Sequence, residues 1–417
     1  MGRDVNRAVV ARFVTNTGAE ASFFIGMWGK AAYQFQADAT ALAVMAVLIL
    51  ASSVVGNIVG GVMVDRVDAR RVLIAAEFTL IPSLLVLLLA DSLTLLLALG
   101  TITFLLHGIE ETAATSLPPA LIERGDDKAL VAVNARLESA GWIAMVAGPG
   151  LGGLLAGFAN LDAVFIFDAA TSLASALLLL SIHLAPRAAP PEGDSQLSGV
   201  GEVMAGLRIA RRTPAIALAM IIGSLLWFGF GAFVALEPLY FRDVLGVGPA
   251  VLGYVNAVFG VGLFAGSVAC GRWGRRFGFR HATALAAVTG LGAIVYVGSS
   301  SLWIVVVGAL AWGIPLGMIF PVVRTLAQRA APEGMVGRVM GTIATAQNMT
   351  SVLPAAFVPF LAVRFGVQTV LIGGALVPIV ALPLLMGRAR RLDLAAADDE
   401  SLDITPDPHP AAATPLP

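Results

Sequence analysis

The sequence of residues 41–71 is ALAVMAVLILASSVVGNIVGGVMVDRVDARR. Its first part, residues 41–64, has no charged side chain and exceeds the roughly 20 residues that an α-helix needs to cross the hydrocarbon core of a bilayer. Lipid offers the backbone no hydrogen-bond partners, so a stretch of this kind must be helical. The charged residues 65–71 mark the point where the chain returns to water.

Similar apolar stretches recur along the chain, at residues 72–90, 163–184, 215–236 and 367–386. Of the 417 residues, 58% are apolar and only 13% are charged, whereas a soluble domain carries about 25% charged residues. The mean hydropathy is +0.87. A polar surface cannot cover so much apolar material, so the composition excludes a soluble globular protein and indicates a polytopic membrane protein.

The apolar stretches predict an all-α membrane protein with twelve transmembrane helices. The longest polar stretch, residues 186–213, follows the sixth helix and is predicted to be a cytoplasmic linker between two six-helix bundles, residues 1–185 and 214–391. The acidic and Pro-rich end, residues 392–417, is predicted to be a disordered cytoplasmic tail. The helices are expected at roughly residues 13–33, 39–63, 72–90, 93–115, 130–158, 162–184, 214–240, 248–270, 282–299, 301–323, 337–362 and 367–387.

The distribution of basic residues supports this helix count. With the N-terminus inside the cell, all of the 26 Lys and Arg residues except Lys30, Arg242 and Arg364 fall in predicted cytoplasmic segments. Basic residues are enriched in cytoplasmic loops of membrane proteins. We therefore expect a multi-pass protein of the cell membrane with both termini in the cytoplasm.

Two basic loops also resemble each other. Residues 61–71 follow the second predicted helix and residues 271–281 follow the eighth, and when the loops are superposed Arg66 matches Arg276. Transporter folds are commonly built from two such repeats. The sequence thus predicts that the two six-helix bundles are pseudo-symmetric.

The first of these loops carries a motif, which consists of Gly61, Asp65, Arg66, Arg70 and Arg71. Its spacing resembles the signature between helices two and three of the major facilitator superfamily, although it departs from that signature just before the paired arginines, where a Gly often stands. The resemblance implies a conformational latch at the cytoplasmic face. Within it, the Asp is expected to accept hydrogen bonds from arginines or from a helix N-terminus, and the Gly to allow close helix approach. The alternative is a basic loop that only sets the topology.

The fifth predicted helix carries a second motif, Gly148-Pro149-x-x-Gly152-Gly153. Gly148 and Gly152 are four residues apart and share one helix face, which permits close packing, and Pro149 bends the helix. The string resembles the helix-five signature that marks antiporters within the superfamily. It implies exchange of a substrate against protons; a plain helix contact is the alternative.

Three shorter strings, residues 117–122, 167–169 and 337–341, look like the drug and macrolide efflux branch of the superfamily. Together with the two motifs, the resemblance covers nearly the whole helical part of the chain. It implies that the transported compound is exported.

Ionisable residues inside apolar helices are costly, so each is a candidate functional site. Glu20 on helix one is the first candidate for a proton carrier. Glu110 and Glu111 on helix four are adjacent carboxylates that would repel each other in a low dielectric, so at least one is expected to keep its proton near neutrality. Structural pairing is the alternative for all three. Asp168 on helix six is expected, from the resemblance, to act in packing or gating.

Two further acids are interpreted differently. Glu77 is assigned to the cytoplasmic charge network, with Arg66 or Arg71 as its partner. Glu237, at the outer end of helix seven, is expected to reach water or Arg242.

Aromatic residues on the first helix of each half are candidates for lining a substrate cavity, namely Phe24, Trp28, Trp227 and Phe230. Such a lining suits lipophilic or amphipathic compounds better than sugars. Packing against lipid or neighbouring helices is the alternative.

Several classes of protein are not supported. One cysteine excludes a disulfide framework and a cysteine-based metal site. The string His107-x-x-Glu110-Glu111 lacks the second histidine of a zinc site, and no phosphate-binding loop is present. We expect no cofactor, no metal site, no nucleic-acid partner and no enzymatic activity.

The sequence thus predicts a secondary transporter, working as a monomer by alternating access. It is expected to export a small lipophilic or amphipathic compound in exchange for protons. The alternatives are a proton-coupled importer, a facilitator of a small metabolite, and a membrane sensor that transports nothing.

Overall fold

The computed structural model of the protein describes residues 2–122, 127–182, 208, 210–273, 276–331 and 336–402. All of their regular secondary structure is helical. The predicted twelve-helix fold is confirmed. The long helices are α1 (Arg3–Ala21), α2 (Ala39–Arg66), α3 (Ala69–Val86), α4 (Leu93–Ser116), α5 (Asp127–Phe158), α6 (Asp162–Leu180), α7 (Pro214–Leu239), α8 (Pro249–Trp273), α9 (Phe279–Val297), α10 (Leu302–Ala330), α11 (Val336–Phe365) and α12 (Val367–Leu402).

Eleven of these helices are long and apolar enough to cross a membrane. The other is α1, which carries Arg3, Arg7 and Arg12 in its first half. Helical backbone nevertheless continues beyond it through two π turns, Ser22–Met27 and Lys30–Gln34. The apolar part of this segment therefore lies C-terminal to the charged part, as the predicted first span at residues 13–33 requires.

The contacts between helices repeat from one half of the chain to the other. In the N-terminal half, α1 packs on α5 and α6, α2 packs on α4, and α3 packs on α4 and α6. In the C-terminal half, α7 packs on α11 and α12, α8 packs on α10, and α9 packs on α10 and α12. The halves meet mainly along α5 with α8 and along α2 with α11, which are equivalent pairs under the same symmetry.

A detail of the backbone repeats as well. The first helical segment of each half ends in a π turn, Lys30–Gln34 in one and Tyr240–Val244 in the other. One residue with a positive φ follows each turn, 51° at Gln36 and 66° at Gly246. The spacing between these equivalent positions equals the spacing between the two basic loops that match in the sequence. Glycine adopts such a φ readily, while other residues do so at a cost, so the repeat reflects the shared architecture rather than a shared residue.

The N-termini of α3 and α9 are capped by different means. Asp68 accepts hydrogen bonds from the backbone amides of Arg70 and Arg71, at 3.0 and 3.3 Å. In the second half the cap comes from α12, where Asp393 accepts from the amides of Phe279 and Arg280, at 2.7 and 3.0 Å. A carboxylate at this position satisfies free amides and opposes the positive end of the helix dipole.

The C-terminal boundary differs from the sequence prediction. Residues 392–402, assigned there to the disordered tail, form the last turns of α12. The cap that Asp393 supplies to α9 gives a physical reason for this extension, because it fixes that part of α12 against the bundle. The rest of the predicted tail, and most of the predicted linker at residues 186–213, lie outside the described residues.

Candidate functional site

The glycines of the helix-five motif face two different partners. A Cβ at Gly148 would lie 2.6 Å from the Cβ of Glu20, and a Cβ at Gly152 would lie 3.0 Å from the side chain of Ile25. These two positions therefore need glycine because α5 packs directly on α1. The predicted small-residue face brings α5 against the candidate proton carrier Glu20.

The next glycine of the motif faces the other half of the molecule. A Cβ at Gly153 would lie 2.8 Å from the Cα of Gly253 on α8, and a Cβ at Gly253 would lie 2.7 Å from the carbonyl oxygen of Pro149. The sequence analysis missed the α8 side of this contact. The sequence signal for this contact is the run of small residues Gly253, Ala257 and Gly260, whose helical spacing makes a smooth face on α8.

An apolar cavity lies beside this contact, between α5 and the helices of the C-terminal half, and its space including the opening to solvent is about 670 Å³. Trp227 and Phe230, two predicted substrate contacts, line it. The lining is almost entirely apolar, with Thr289 among its few polar side chains. Its aromatic residues are Trp142, Trp227, Phe230, Phe233, Phe259, Trp312 and Phe320.

A second, smaller space shares Phe230, Phe233 and Trp312 with the first. Phe24 from the first π turn lines it, as predicted for a substrate contact. Trp28 lines neither space, and its side chain is buried within the core. Three of the four predicted aromatic contacts are thus brought together at the boundary between the halves.

The second space has a polar floor that the sequence analysis did not predict. Glu237 and Asn256 line it, and Glu237 is 8% exposed. The Glu237 carboxylate accepts a hydrogen bond from the hydroxyl of Tyr296. The expectation that this acid reaches water or an arginine is therefore wrong, because α7 turns it inward against α8 and α9.

Arg242, the expected partner of that acid, connects the two halves instead. Its guanidinium donates to the carbonyl oxygens of Ala32 and Ala37, at 2.6 and 2.9 Å. It also donates to the carboxylate of Asp243 at 2.6 Å. The contact lies at the end of the bundle where α1 leads into α2.

A second tie between the halves lies at the opposite end, which the sequence predicts to be cytoplasmic. Arg324 on α10 and Glu138 on α5 form an ion pair at 3.2 Å. Both side chains are about half exposed.

The candidate proton carriers on α4 lie around an arginine of α1. Arg12 makes two hydrogen bonds to Glu111, at 2.6 and 2.7 Å, and lies 3.5 Å from Glu110. Glu111 is 48% exposed, whereas the Glu110 side chain is 5% exposed. The structure therefore distinguishes the two adjacent carboxylates: one is held at the surface by Arg12 and the other is buried beneath it. Glu20 lies within electrostatic range of Glu111 and Arg12.

A further acid lies deeper in the same half. Asp168 on α6 is fully buried, and the ionisable His107 lies beside it, with its Nε2 3.8 Å from the carboxylate. In the described part of the chain, neither of its carboxylate oxygens has a hydrogen-bond partner. It packs closely against Gly18 of α1, where a Cβ would lie 2.7 Å from one of those oxygens.

Glu77 does not belong to the cytoplasmic charge network to which the sequence analysis assigned it. It is 0% exposed and accepts hydrogen bonds from Thr15 at 3.1 Å and Ser175 at 2.6 Å. It joins α3 to α1 and α6 inside the N-terminal half. Its sequence position near the start of α3 gave no indication of which way the side chain points.

The residues of the predicted latch fall into different environments. Arg70 donates to the carbonyl oxygens of Leu179 and Leu180, both at 2.9 Å, and so caps the C-terminus of α6. Arg66 and Arg71 are exposed. The side chains of Asp65 and of the efflux-branch residues 337–338 lie outside the described residues.

Gly61 does not provide the close helix approach expected of it, since no atom lies within 4 Å of a Cβ built there. Gly56 and Gly60 provide the close approach of α2 to α4 instead. A Cβ at Gly56 would lie 2.1 Å from the carbonyl oxygen of Leu105, and one at Gly60 would lie 3.0 Å from the Cα of Ile109. Gly61 therefore does not lie on the face of α2 that packs on α4.

A family model described as "Major Facilitator Superfamily" matches residues 9–353 and 228–408 of the chain. The chain belongs to the major facilitator superfamily. It is accordingly a multi-span membrane transporter of a small-molecule substrate.

Named relatives within this superfamily include exporters. The chain is 27% identical to "Enterobactin exporter EntS" of Escherichia coli O1:K1 over 305 residues, which are 71% of this chain and 70% of that protein. It is 22% identical to "Uncharacterized MFS-type transporter YfiS" of Bacillus subtilis over 370 residues, which are 86% of this chain and 87% of that protein.

Solved superfamily structures share the fold at low sequence identity. A variant of the nucleoside transporter NupG has a TM-score of 0.75 at 12% identity and covers 92% of this chain and 99% of its own. A bacterial homologue of the lysosomal transporter Spinster, in an inward-facing conformation, has a TM-score of 0.69 at 13% identity and covers 93% and 96%. These likenesses support the twelve-helix architecture.

Proposed function

We propose that this superfamily member is a secondary active exporter of the drug and macrolide efflux branch. It moves a small lipophilic or amphipathic compound across the cell membrane in exchange for protons, by alternating access. The observation that carries the proposal is the aromatic cavity at the boundary between the two halves, beside the glycine contact of α5 with α8. The name of the related enterobactin exporter supports the direction of transport.

The transported compound is proposed to bind between Phe24 on the first helical segment and Trp227 and Phe230 on α7. Both halves then contribute to the site, so a relative movement of the halves changes the side from which it is open. Apolar rings bury the hydrophobic body of a ligand without requiring one fixed hydrogen-bond pattern. This arrangement suits compounds that share lipophilicity rather than a common functional group.

The proton is proposed to be carried by Glu20 or Glu110. Glu111 is the weaker candidate of the three, because its carboxylate is half exposed and held by two hydrogen bonds from Arg12. Protonation of a buried carboxylate next to Arg12 removes its attraction to that arginine and so alters the contact between α1 and α4. Since α1 also packs on Gly148 of α5, such a change is transmitted toward the boundary between the halves.

In this proposal the two bundles, residues 1–185 and 214–391, rock about the contacts of α5 with α8 and of α2 with α11. Residues 186–213 connect them at the cytoplasmic side, where both termini also lie, and the protein acts as a monomer. The Gly61–Arg71 loop serves as the conformational latch, and the Gly148–Gly153 motif serves as the pivot. The acid Asp168 provides structural support.

The proposal can be tested with the purified protein in proteoliposomes under an imposed pH gradient. A dye reports the lumenal pH while cationic, neutral and macrolide-like compounds are added in turn. We expect compound-dependent proton movement in the wild type, and its loss in Glu20→Gln or Glu110→Gln. The control is Asp91→Asn, which removes an exposed carboxylate between α3 and α4 and should leave proton movement unchanged.

Other outcomes would contradict the proposal. Uptake of a compound without any proton movement would identify a facilitator, and movement of compound and proton in the same direction would identify an importer. An absence of flux with every compound would favour a sensor. Full proton coupling in both Glu→Gln variants would remove those acids from the mechanism.

A further inference from the structure

We propose that Glu237 selects for positive charge in the aromatic cavity, and that the transported substrate is therefore a lipophilic organic cation. This inference rests on the proposed function, because it takes the cavity at the boundary of the halves as the transport site. It adds the chemical class of the substrate and names the residue that recognises it.

The first support is the environment of the Glu237 carboxylate. It is 8% exposed, and its hydrogen-bond partner is the neutral hydroxyl of Tyr296 on α9. The side chain of Asn256 on α8, which is also neutral, lines the same space. Within the described residues no lysine or arginine faces it, and the nearby Arg242 is occupied by backbone carbonyls and by Asp243. The protein thus buries an acid without supplying a counter-charge.

Each of the other buried acids among the described residues differs from Glu237 either in having an ionisable partner or in its position. Glu110 has Arg12 beside it, and Asp168 has His107. Glu77 receives two hydroxyl hydrogen bonds and lines neither of the two spaces. Glu237, by contrast, lines the second space, which shares Phe230, Phe233 and Trp312 with the aromatic cavity. An ionisable group at such a position in a membrane protein typically serves a substrate or ion pathway.

The second support is the surface around this acid. Phe230, Phe233 and Trp312 line both parts of the cavity. The faces of aromatic rings attract cations, more strongly where water is excluded. An organic cation would therefore find ring faces along its body and one carboxylate for its charge, whereas an anion would meet repulsion from both.

The test uses two probes of nearly identical size and shape but opposite charge, tetraphenylphosphonium and tetraphenylborate. Binding to the purified full-length protein in detergent is followed by quenching of tryptophan fluorescence, since Trp142, Trp227 and Trp312 line the cavity. We expect the wild type to bind the cation at least about tenfold more tightly than the anion. The variant Glu237→Gln, which retains an acceptor for Tyr296, should lose most of this preference.

Two further variants make the result specific. Asp91→Asn removes an exposed carboxylate between α3 and α4 that lines neither space, so it should leave the preference intact. Asn256→Lys places a fixed positive charge beside Glu237 and should abolish the preference while the acid is still present. The Asn256→Lys variant also tests the role of Glu237 in charge preference if Glu237→Gln fails to fold.

Equal binding of the two probes by the wild type, or an unchanged cation preference in both Glu237→Gln and Asn256→Lys, would overturn the inference. The assay needs no pH gradient and no transport, so its result is separate from that of the proteoliposome experiment. Proton-coupled export of neutral compounds, with no charge preference in binding, would leave the proposed function standing and remove the cationic substrate class.

Discussion

Arg70 and Arg71, which are adjacent in one sequence motif, have different structural roles. Arg70 reaches across to α6 and binds the carbonyl oxygens at its C-terminus, while Arg71 projects into solvent. A charged donor that satisfies two terminal carbonyls and opposes the negative end of a helix dipole stabilises both elements. The motif thus contains one arginine that joins helices within the N-terminal half.

This difference gives a prediction about stability. The variant Arg70→Ala should lower the free energy of unfolding by about 1–3 kcal/mol, because two charge-assisted hydrogen bonds are lost. Arg71→Ala should change it by less than about 0.5 kcal/mol, as expected for an exposed position. Thermal unfolding of both variants in the same detergent measures the contrast, and equal destabilisation would show that Arg70 does not act through α6.

The acids show how far single residues can be predicted from a sequence. A location within an apolar helix could be inferred for Glu20, Glu110 and Asp168 from their sequence positions alone. The direction of a side chain around the helix could not, and this is why Glu77 and Glu237 were placed at the surface although both are buried. That direction depends on which neighbouring helix covers each face, which is a property of the tertiary packing.

At the scale of elements, the crossing of α5 with α8 controls how closely the two halves approach. The two backbones are close enough that a Cβ at Gly253 would lie 2.5 Å from the Cα of Gly153. Such a distance leaves no room for a methyl group, so any larger residue must push one helix away from the other. The close-packing face that the motif predicts, at Gly148 and Gly152, lies against the first helical segment, whereas the contact of Gly153 with α8 emerges only from the packing.

The crossing can be tested by adding single methyl groups to α8. Gly253→Ala should displace α8 from α5 and reduce transport by at least about tenfold, since overpacking of this kind typically costs 1–3 kcal/mol. Gly271→Ala adds the same group to the same helix, where no atom lies within 4 Å of the new Cβ, and should leave transport unaltered. Flux in proteoliposomes, with equal amounts of folded protein, provides the comparison; full activity of Gly253→Ala would show that the helices do not need this contact.

At the scale of the whole molecule, the two halves are tied together at both ends of the bundle. Arg242 binds two backbone carbonyls of the other half and its side chain is 18% exposed, whereas Arg324 forms a half-exposed ion pair with Glu138. Exposed ion pairs contribute about 0–1 kcal/mol, while hydrogen bonds from a partly buried charged group contribute more. The tie at Arg242 should therefore dominate the balance between the two facing states.

A reporter cysteine at Val234, which lines the second space, can measure this balance in a Cys270→Ala background. In Arg242→Ala, labelling from the predicted outer side by a membrane-impermeant thiol reagent should increase about tenfold, which corresponds to about 1.4 kcal/mol. Arg324→Ala should increase labelling from the cytoplasmic side by no more than about fivefold. Increased labelling of Arg242→Ala from the cytoplasmic side would contradict the assignment of that tie to the outer end.

The overall fold was more accessible to sequence analysis than the site. The lengths of the apolar stretches predicted the number of helices, and the distribution of basic residues between loops supported that number. Both patterns arise because charged side chains and unpaired backbone groups are unfavourable in lipid. The end of the last helix was placed too early, at about residue 387. Its continuation depends on Asp393 meeting the start of α9, a contact between distant parts of the chain that no local pattern encodes.

That cap has a consequence for the order in which the chain acquires its structure during synthesis. Asp68 caps α3 from two residues away, so this helix can be completed as soon as it leaves the ribosome. The amides at the start of α9 have to wait until Asp393 has been made, more than a hundred residues later. The N-terminal bundle can thus finish folding while α9 still lacks its cap, which forms only once the nascent chain includes Asp393.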